Sequence, residues 1–399
     1  MRIAIFWRDL LHYHVGRIAA LHTLAAVQGH HVDAFALCAA SPELPHTGYQ
    51  ERLGAKVQVL STDVGACGED SAHSKRQLLA QLDRCEPDVV AIVGYTGQVA
   101  RAALGWCRYH RRGALLLFDS QAKDYQRRLL QEWLKARLVS FYDAALVSGR
   151  PHAAYLTALG MAPERMLPGY NAVDNDFWAE GARQAQAAPQ RWRAHYHLPE
   201  RFFLTAARFV PKKNLAGLIT AYAAYVRRTS RPPWSLVIVG DGELASQLRQ
   251  QVAALGLTHL VHFPGYLGAE AMAAVYGLAS TFILASSHAE QWGLVVNEAM
   301  AAGVPVLVSH ICGCVPDLVL EGITGFSFDP ATPDALTQQL LRCAEGNLDL
   351  TAMGKAGQAQ IQHYSVEQFA QKLFTLAPCA HEYAQRRQWR FWPAPQLWR

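Results

Sequence analysis

Two carboxylates with a glycine between them are the first residues whose spacing could do chemistry. Glu290 and Glu298 are separated by seven intervening residues in SSHAEQWGLVVNEAMAAGVPVLVS, residues 286–309, and Gly293 is one of them. The apolar periodicity after that glycine predicts a helix starting near Leu294. Glu290 then sits on the loop before the helix, and Glu298 more than one turn inside it. Gly293 allows a ligand to approach the backbone closely. The N–H groups of Leu294 and Val295 have no partner one turn earlier, and the helix dipole there favours an anion. A diphosphate at that point leaves one carboxylate on each side for hydroxyl groups, which suits a two-ended ligand. Spacing alone fits an ordinary surface glutamate and a helix glutamate equally well.

A second group is cationic. In AARFVPKKNL, residues 206–215, Arg208 follows a predicted strand and Lys213 precedes a predicted helix, with Lys212 competing for the same role. Two cations beside a diphosphate neutralise the charge that develops on a departing group. Taken alone, basic loop residues are usually just solvated. Gly240, in VGDGE, stands at a strand end where it could cradle a phosphate or nucleoside, although GxGxxG spacing is absent. Gly265 and Tyr266, in HFPGYL, form a strand-to-turn element whose backbone could read a base edge.

Such groups need strand ends to hold them. Short apolar runs alternate with helical periodicity from Ile3 to Ser148, stop over Asn175 to Pro199, and restart at Phe202. Alternation without hairpin signals predicts an α/β chain with two doubly wound, Rossmann-like parallel-sheet domains. The expected division is a first domain over 1–180, a linker over 181–199, a second domain over 200–375, and a tail over 376–399 packing back on the first domain. Ligands of such sheets bind beyond the carboxyl ends of the strands. A cleft between tandem domains is the natural place for two substrates.

Composition narrows the class. The 399 residues are 51% apolar and 17% charged, so the chain buries real cores. A net charge of +5 is too weak to argue for nucleic acid, and suits phosphate-bearing ligands or anionic lipid surfaces. Eight cysteines are scattered without a CxxC pair, which leaves a zinc site unsupported and suits thiols in a reducing cytoplasm. Cys312 and Cys314 read as plain small residues. MRIAIFWRDL has no signal-type apolar region, and no run approaches the roughly 20 apolar residues of a membrane span. A soluble or peripheral cytoplasmic protein is expected, the peripheral form at the inner face of a membrane.

Two basic, apolar segments remain. A long helix is expected from Lys123 to Ser140, in which Arg127, Arg128, Lys135 and Arg137 interleave with Leu129, Leu130, Trp133 and Leu134. It reads as a solvated helix with one buried stripe, or as a membrane-facing surface. The tail combines Arg386, Arg387, Arg390 and Arg399 with Trp389, Phe391, Trp392 and Trp398. It reads as packing on the first domain, or as a membrane or partner contact.

The order RFVPKKN, VGDGE, FPGY, Glu-seven-Glu, AAGVPVLVS and EGITGFSFDP resembles the retaining glycosyltransferases of family 4, which have the GT-B fold. The likeness is close over residues 200–345 and looser in HYHVGRIAAL and LVSGRPHAAYLTALGM. It implies two Rossmann-like domains facing a cleft. It also implies retaining transfer of a sugar from a UDP- or GDP-sugar to a glycan, glycolipid or small-molecule acceptor, without cofactor or metal.

By that resemblance Arg208 and Lys213 hold the diphosphate, Glu290 the donor sugar and Glu298 the ribose. The amides of Leu294 and Val295 meet phosphate, and Gly265 and Tyr266 lie by the base. Two departures stand out: RDLLHYHVG has a single glycine, and Phe118 to Asp124 lacks a histidine. Asp119 or Asp124 would then face the acceptor, against helix capping by Asp119 or Ser120, and His14 is a further candidate against ordinary packing. The competing readings are a nucleotide-sugar epimerase of the same shape and a catalytically silent nucleotide-sugar or lipid-surface binding protein.

Overall fold

The computed structural model describes residues 1–39, 52–63, 67–124, 127–332 and 334–387. Among the described residues, thirteen strands form two parallel sheets. The first holds β1 (Arg2–Trp7), β2 (His31–Ala36), β3 (Gln58–Val59), β4 (Val89–Val93), β5 (Gly113–Phe118), β6 (Ala144–Val147) and β7 (Met166–Pro168). The second holds β8 (Phe202–Ala206), β9 (Ser235–Val239), β10 (Val261–Gly265), β11 (Thr281–Leu284), β12 (Val306–Ser309) and β13 (Gly325–Phe328). Central strands such as GALLLF and TFIL are buried along their whole length. That is why they read as continuous apolar runs: helices cover both faces of a parallel sheet.

Strand order is β3-β2-β1-β4-β5-β6-β7 in the first sheet and β10-β9-β8-β11-β12-β13 in the second. Each is the Rossmann-like winding, in which the chain walks outward one way and then returns to the other side of its first strand. Every strand pairing is parallel and close to in register; only β9 and β10 shift, between His262 and Gly265.

The chain divides into two compact units. One comprises residues 1–120, 127–173 and 364–387, the other 121–124 and 174–363. The helix Val366–Arg386 buries Phe369, Leu373, Phe374 and Ala377 against Ile3, Ile18 and Leu115 of the first unit. The return to that unit therefore begins near Tyr364, not at 376, and the 375/376 division would cut one continuous helix. The tail aromatics Trp389, Phe391, Trp392 and Trp398 lie outside the described residues.

The stretch expected as a linker over 181–199 is helical. Asp174 caps the helix Asn175–Ala187 by accepting from the Phe177 N–H at 3.0 Å, and a second helix, Pro189–Tyr196, starts on a proline. Its Ala, Gln and Arg content is helix-forming composition. Small residues let the first of these pack tightly within the second unit: a Cβ on Gly181 would stand 2.4 Å from Ala273 Cβ, and one on Gly277 2.5 Å from Ala182 Cα.

Two further expectations are corrected. The helix expected from Lys123 starts at Leu129, because residues 121–124 form a turn that belongs to the second unit. Cys38 and Cys67 form a disulfide, with Cα atoms 5.7 Å apart, whereas Cys85, Cys107, Cys312, Cys314, Cys343 and Cys379 are free thiols. Disulfides are rare in reducing compartments, so the cysteines no longer argue for one. Among the described residues no helix is long and apolar enough to cross a membrane.

Candidate functional site

In a doubly wound sheet the crevice lies where strand order reverses. In the second sheet that point is between β8 and β11. The chain leaving β8 carries Arg208 and Lys213. The chain leaving β11 carries Ser286, Glu290 and Gly293.

These two strand ends meet. After β8 the chain makes a short turn over Pro211–Lys213, and Asn214 adopts φ +52°. The Lys213 ammonium donates to Glu290 Oε2, and Ser286 Oγ donates to the same oxygen at 2.7 Å. Lys212 adds its charge, its Nζ standing 3.5 Å from the Ala289 carbonyl oxygen. Glu290 is only 7% exposed. Burial opposes its ionisation, but Lys213, then Ser286 and Lys212, outweigh that and hold the carboxyl below its ordinary range. The site thus keeps a fixed negative oxygen against a cation.

The loop around Glu290 is pinned from several sides. Its carbonyl accepts from the Gly313 N–H at 3.1 Å and from Gln121 Nε2 at 2.9 Å. Trp292 Nε1 donates to Asn297 Oδ1 at 2.8 Å, tying the loop to the helix that follows. Gly293 has φ +105°, and a Cβ there would stand 2.7 Å from Leu284 Cδ2, so only glycine fits without displacement. The helix Leu294–Ala301 starts directly after it, with Leu294 and Val295 half-buried. Cys312 and Cys314 are buried nearby, and burial pushes both thiols up, which leaves them protonated space-fillers.

Arg208 is exposed on the loop after β8. That loop is locked to the next strand end, since Phe209 N–H donates to the Asp241 carbonyl at 2.8 Å and Ala207 N–H to that of Val239 at 3.0 Å. Gly240 has φ +129°, and a Cβ there would stand 1.9 Å from the Ala207 carbonyl oxygen. The chain's own packing therefore demands this glycine, whether or not a ligand is present.

Glu298 lies on the buried side of its helix and accepts from the Tyr276 hydroxyl at 3.0 Å. Burial, reinforced by that carboxylate, pushes the Tyr276 phenol far up. Tyr266, at the carboxyl end of β10, is 48% exposed, and burial with the Glu298 charge raises its phenol. Gly265 passes its carbonyl to the Gly240 N–H at 2.9 Å, and a Cβ on Gly265 would meet nothing within 4 Å. The ends of β8, β9, β10 and β11 thus form one contiguous rim: cation pair, glycine turn, tyrosine and carboxylates.

Gln121 was not legible in the sequence. It is buried, and only tertiary structure brings it to the Glu290 carbonyl. Its N–H donates to Asp124 Oδ2 at 2.8 Å, whereas Asp124 Oδ1 is buried without a hydrogen-bond partner among the described residues. Burial raises the Asp124 carboxyl against Gln121 and Lys212, with Glu290 adding to the rise.

The first-unit candidates are held by contacts within that unit. Asp119, half-buried at the end of β5, acts electrostatically on Tyr13, Arg17 and Tyr170. Arg17 is buried, its Nε donating to the Ala172 carbonyl at 2.9 Å and its guanidinium 4.8 Å from the Tyr13 ring centroid. His14 packs on Trp7 with ring centroids 5.0 Å apart, and its Nδ1 accepts from the Leu11 N–H at 3.1 Å. Burial, then Arg17 and His12, lower its pKa and keep it neutral. The packing role expected as His14's alternative is what the contacts describe.

Residues 190–360 match the family model described as glycosyl transferases group 1. A GDP-mannose-dependent alpha-(1-6)-phosphatidylinositol monomannoside mannosyltransferase of Mycolicibacterium smegmatis is 32% identical over 220 residues, covering 53% of this chain and 55% of that protein. A D-inositol 3-phosphate glycosyltransferase of Streptomyces griseus is 30% identical over 278 residues, covering 67% of this chain and 57% of that protein. The chain thus spans about half the length of the curated relatives it matches.

Among solved structures, Anabaena HepE in complex with UDP superposes with a TM-score of 0.69 at 19% identity, over 94% of this chain and 99% of that one. A glycosyltransferase from Rickettsia africae gives 0.73 at 14% identity, over 97% and 99%. These likenesses show the fold, that of the two-sheet GT-B proteins.

Proposed function

We propose that this chain is a retaining glycosyltransferase that moves a sugar from a nucleoside-diphosphate sugar to an acceptor held by its first unit. One observation carries the reading. The Lys213–Glu290 pair stands at the switch point of the second sheet, beside the start of the helix Leu294–Ala301. An anion is favoured there by the helix start and by two cations from the neighbouring strand end.

The rest follows from charge. The diphosphate lies against Arg208, Lys213 and the amides of Leu294 and Val295. Glu290, fixed as a carboxylate by Lys213 and Ser286, accepts hydrogen bonds from donor-sugar hydroxyls. Glu298 accepts from the ribose, and the backbone at Gly265 and Tyr266 lies by the base. As the glycosidic bond breaks, negative charge grows on the leaving diphosphate, and the preorganised cations stabilise it most at that moment. They take the electrostatic role a divalent metal plays elsewhere, so no cofactor is called for. Asp119 is the first-unit carboxylate proposed to meet the acceptor.

The proposed donors are UDP- or GDP-sugars, because the mannosyltransferase relative is GDP-mannose-dependent and the HepE structure holds UDP. A glycan, a glycolipid or a small molecule is the proposed acceptor class. The test incubates the protein with UDP- and GDP-sugars, with and without candidate acceptors, and analyses products by chromatography and anomeric NMR. Acceptor-dependent product with the donor's anomeric configuration supports the reading. Release of an epimer from donor alone, or no turnover at all, overturns it.

A further inference from the structure

One helix of the first unit carries an exposed apolar face besides the residues it packs on the core. Leu129–Val139 turns Leu129, Leu130, Trp133 and Leu134 to solvent, at 92%, 70%, 63% and 49% exposure. Its inward side is mixed: Val139 is buried in the core with Ala136 and Leu138 packed beside it, while Glu132 accepts from Lys135 Nζ at 2.8 Å and from the Tyr155 hydroxyl at 3.1 Å. At 100° per residue, the four apolar side chains span one continuous face, and Arg137 falls within it. Water-facing helices carry the opposite arrangement, so a contiguous exposed apolar face marks a contact surface.

The charges within that face, at Arg137, and at the helix's N-terminal end, at Arg128, identify what covers it. Arg128 and Arg137 are both exposed, and Arg127 is held further in by Glu132 at 2.8 Å. Residues 127–140 hold four cations and one carboxylate, and that carboxylate is already engaged inward. In a two-fold contact between copies the arginines would face each other. A helix of 11 residues is also far smaller than the roughly 800 Å² per partner of a stable interface. An anionic bilayer answers both features, receiving the leucines and tryptophan at its acyl boundary while its head groups meet the arginines.

We propose that the helix Leu129–Val139 is a membrane-docking helix, lying in the plane of an anionic lipid surface with Leu129, Leu130, Trp133 and Leu134 inserted. This does not depend on the sugar-transfer reading.

Vesicle flotation of the full chain tests it, using phosphatidylcholine alone and phosphatidylcholine with phosphatidylglycerol. The wild-type chain floats with the anionic vesicles and falls off as salt rises. The variant Leu129→Ser/Leu130→Ser/Trp133→Ser/Leu134→Ser binds at least about tenfold more weakly, with an unchanged melting temperature because these side chains support no core. Arg128→Glu/Arg137→Glu loses about fivefold or more per arginine on anionic vesicles only. Equal flotation of the serine variant overturns the proposal. So does loss of flotation in Trp389→Ser/Trp392→Ser/Trp398→Ser with full binding by the serine variant. A lipid-independent dimer in analytical ultracentrifugation that the serine variant dissolves also overturns it, in favour of a second copy.

Discussion

The Lys213 ammonium and the Glu290 carboxylate, 77 residues apart in sequence, meet across the reversal point of the second sheet. Lys213 comes from the turn after β8 and Glu290 from the loop after β11. The pair is nearly buried, with side chains 14% and 9% exposed. It therefore holds two strand ends together and presents charge of both signs where the proposed diphosphate sugar would lie.

Removing one partner should cost stability as well as function. Lys213→Ala leaves the buried Glu290 charge with Ser286 as its nearest donor, and should destabilise the fold by about 3 kcal/mol. Glu290→Gln keeps the shape and a hydrogen-bonding oxygen, and should cost less. Urea unfolding of both variants beside the wild type checks the ordering; midpoints equal to the wild type's would mean the pair contributes nothing to the fold.

The pH dependence of stability should carry the sign of a depressed carboxyl. Burial raises the Glu290 pKa, but Lys213, Ser286 and Lys212 lower it more, so its folded value lies below the unfolded value of about 4.3. Its contribution is fully present above that unfolded value and is lost as pH falls through the folded one. Between pH 5 and 3 the wild-type urea midpoint should drop more steeply than that of Glu290→Gln. Parallel curves would show that Glu290 is not held ionised.

The three rim glycines should separate by space and strain. Gly240→Ala puts a methyl 1.9 Å from the Ala207 carbonyl oxygen at φ +129°, and Gly293→Ala meets Leu284 at 2.7 Å with φ +105°. Each should cost at least about 2 kcal/mol, because a steric clash is added to backbone strain. Gly265→Ala has open space and φ +84°, and should cost about 1 kcal/mol. Thermal melts of the three variants check the order.

Oxidation state should matter too. The Cys38–Cys67 bond closes a separation of 29 residues. Its removal by Cys38→Ser/Cys67→Ser should cost about 3 kcal/mol by loop-closure entropy. Adding reductant should lower the wild-type melting temperature and leave the double variant unmoved. Mass spectrometry of the unreduced chain reads the bond directly.

The sequence makes some of this visible and hides the rest. Apolar runs such as GALLLF and TFIL are legible as strands because both faces are buried, which erases any competing pattern. The Glu290–Gly293–Leu294 arrangement is legible because a glycine before apolar periodicity fixes a helix start. The partnership of Lys213 with Glu290 is not, since spacing along the chain says nothing about which strands become neighbours. Gln121 is invisible for the same reason. The helices over 175–196 are not legible where the sequence reads as a linker over 181–199, because their Ala- and Gln-rich composition lacks a strong apolar stripe, yet small residues there permit close packing. The Leu129–Val139 helix shows the limit of periodicity: it gives an apolar face but not the side of the protein that face looks toward.

The most direct test of the account is nucleotide-sugar turnover by the wild-type chain and by Arg208→Ala, Lys213→Ala and Glu290→Gln, at a temperature where all four remain folded. The account predicts that each variant loses about 10²-fold or more in kcat, because each removes charge placed for the departing diphosphate or its sugar. Near-wild-type rates in all three would contradict it.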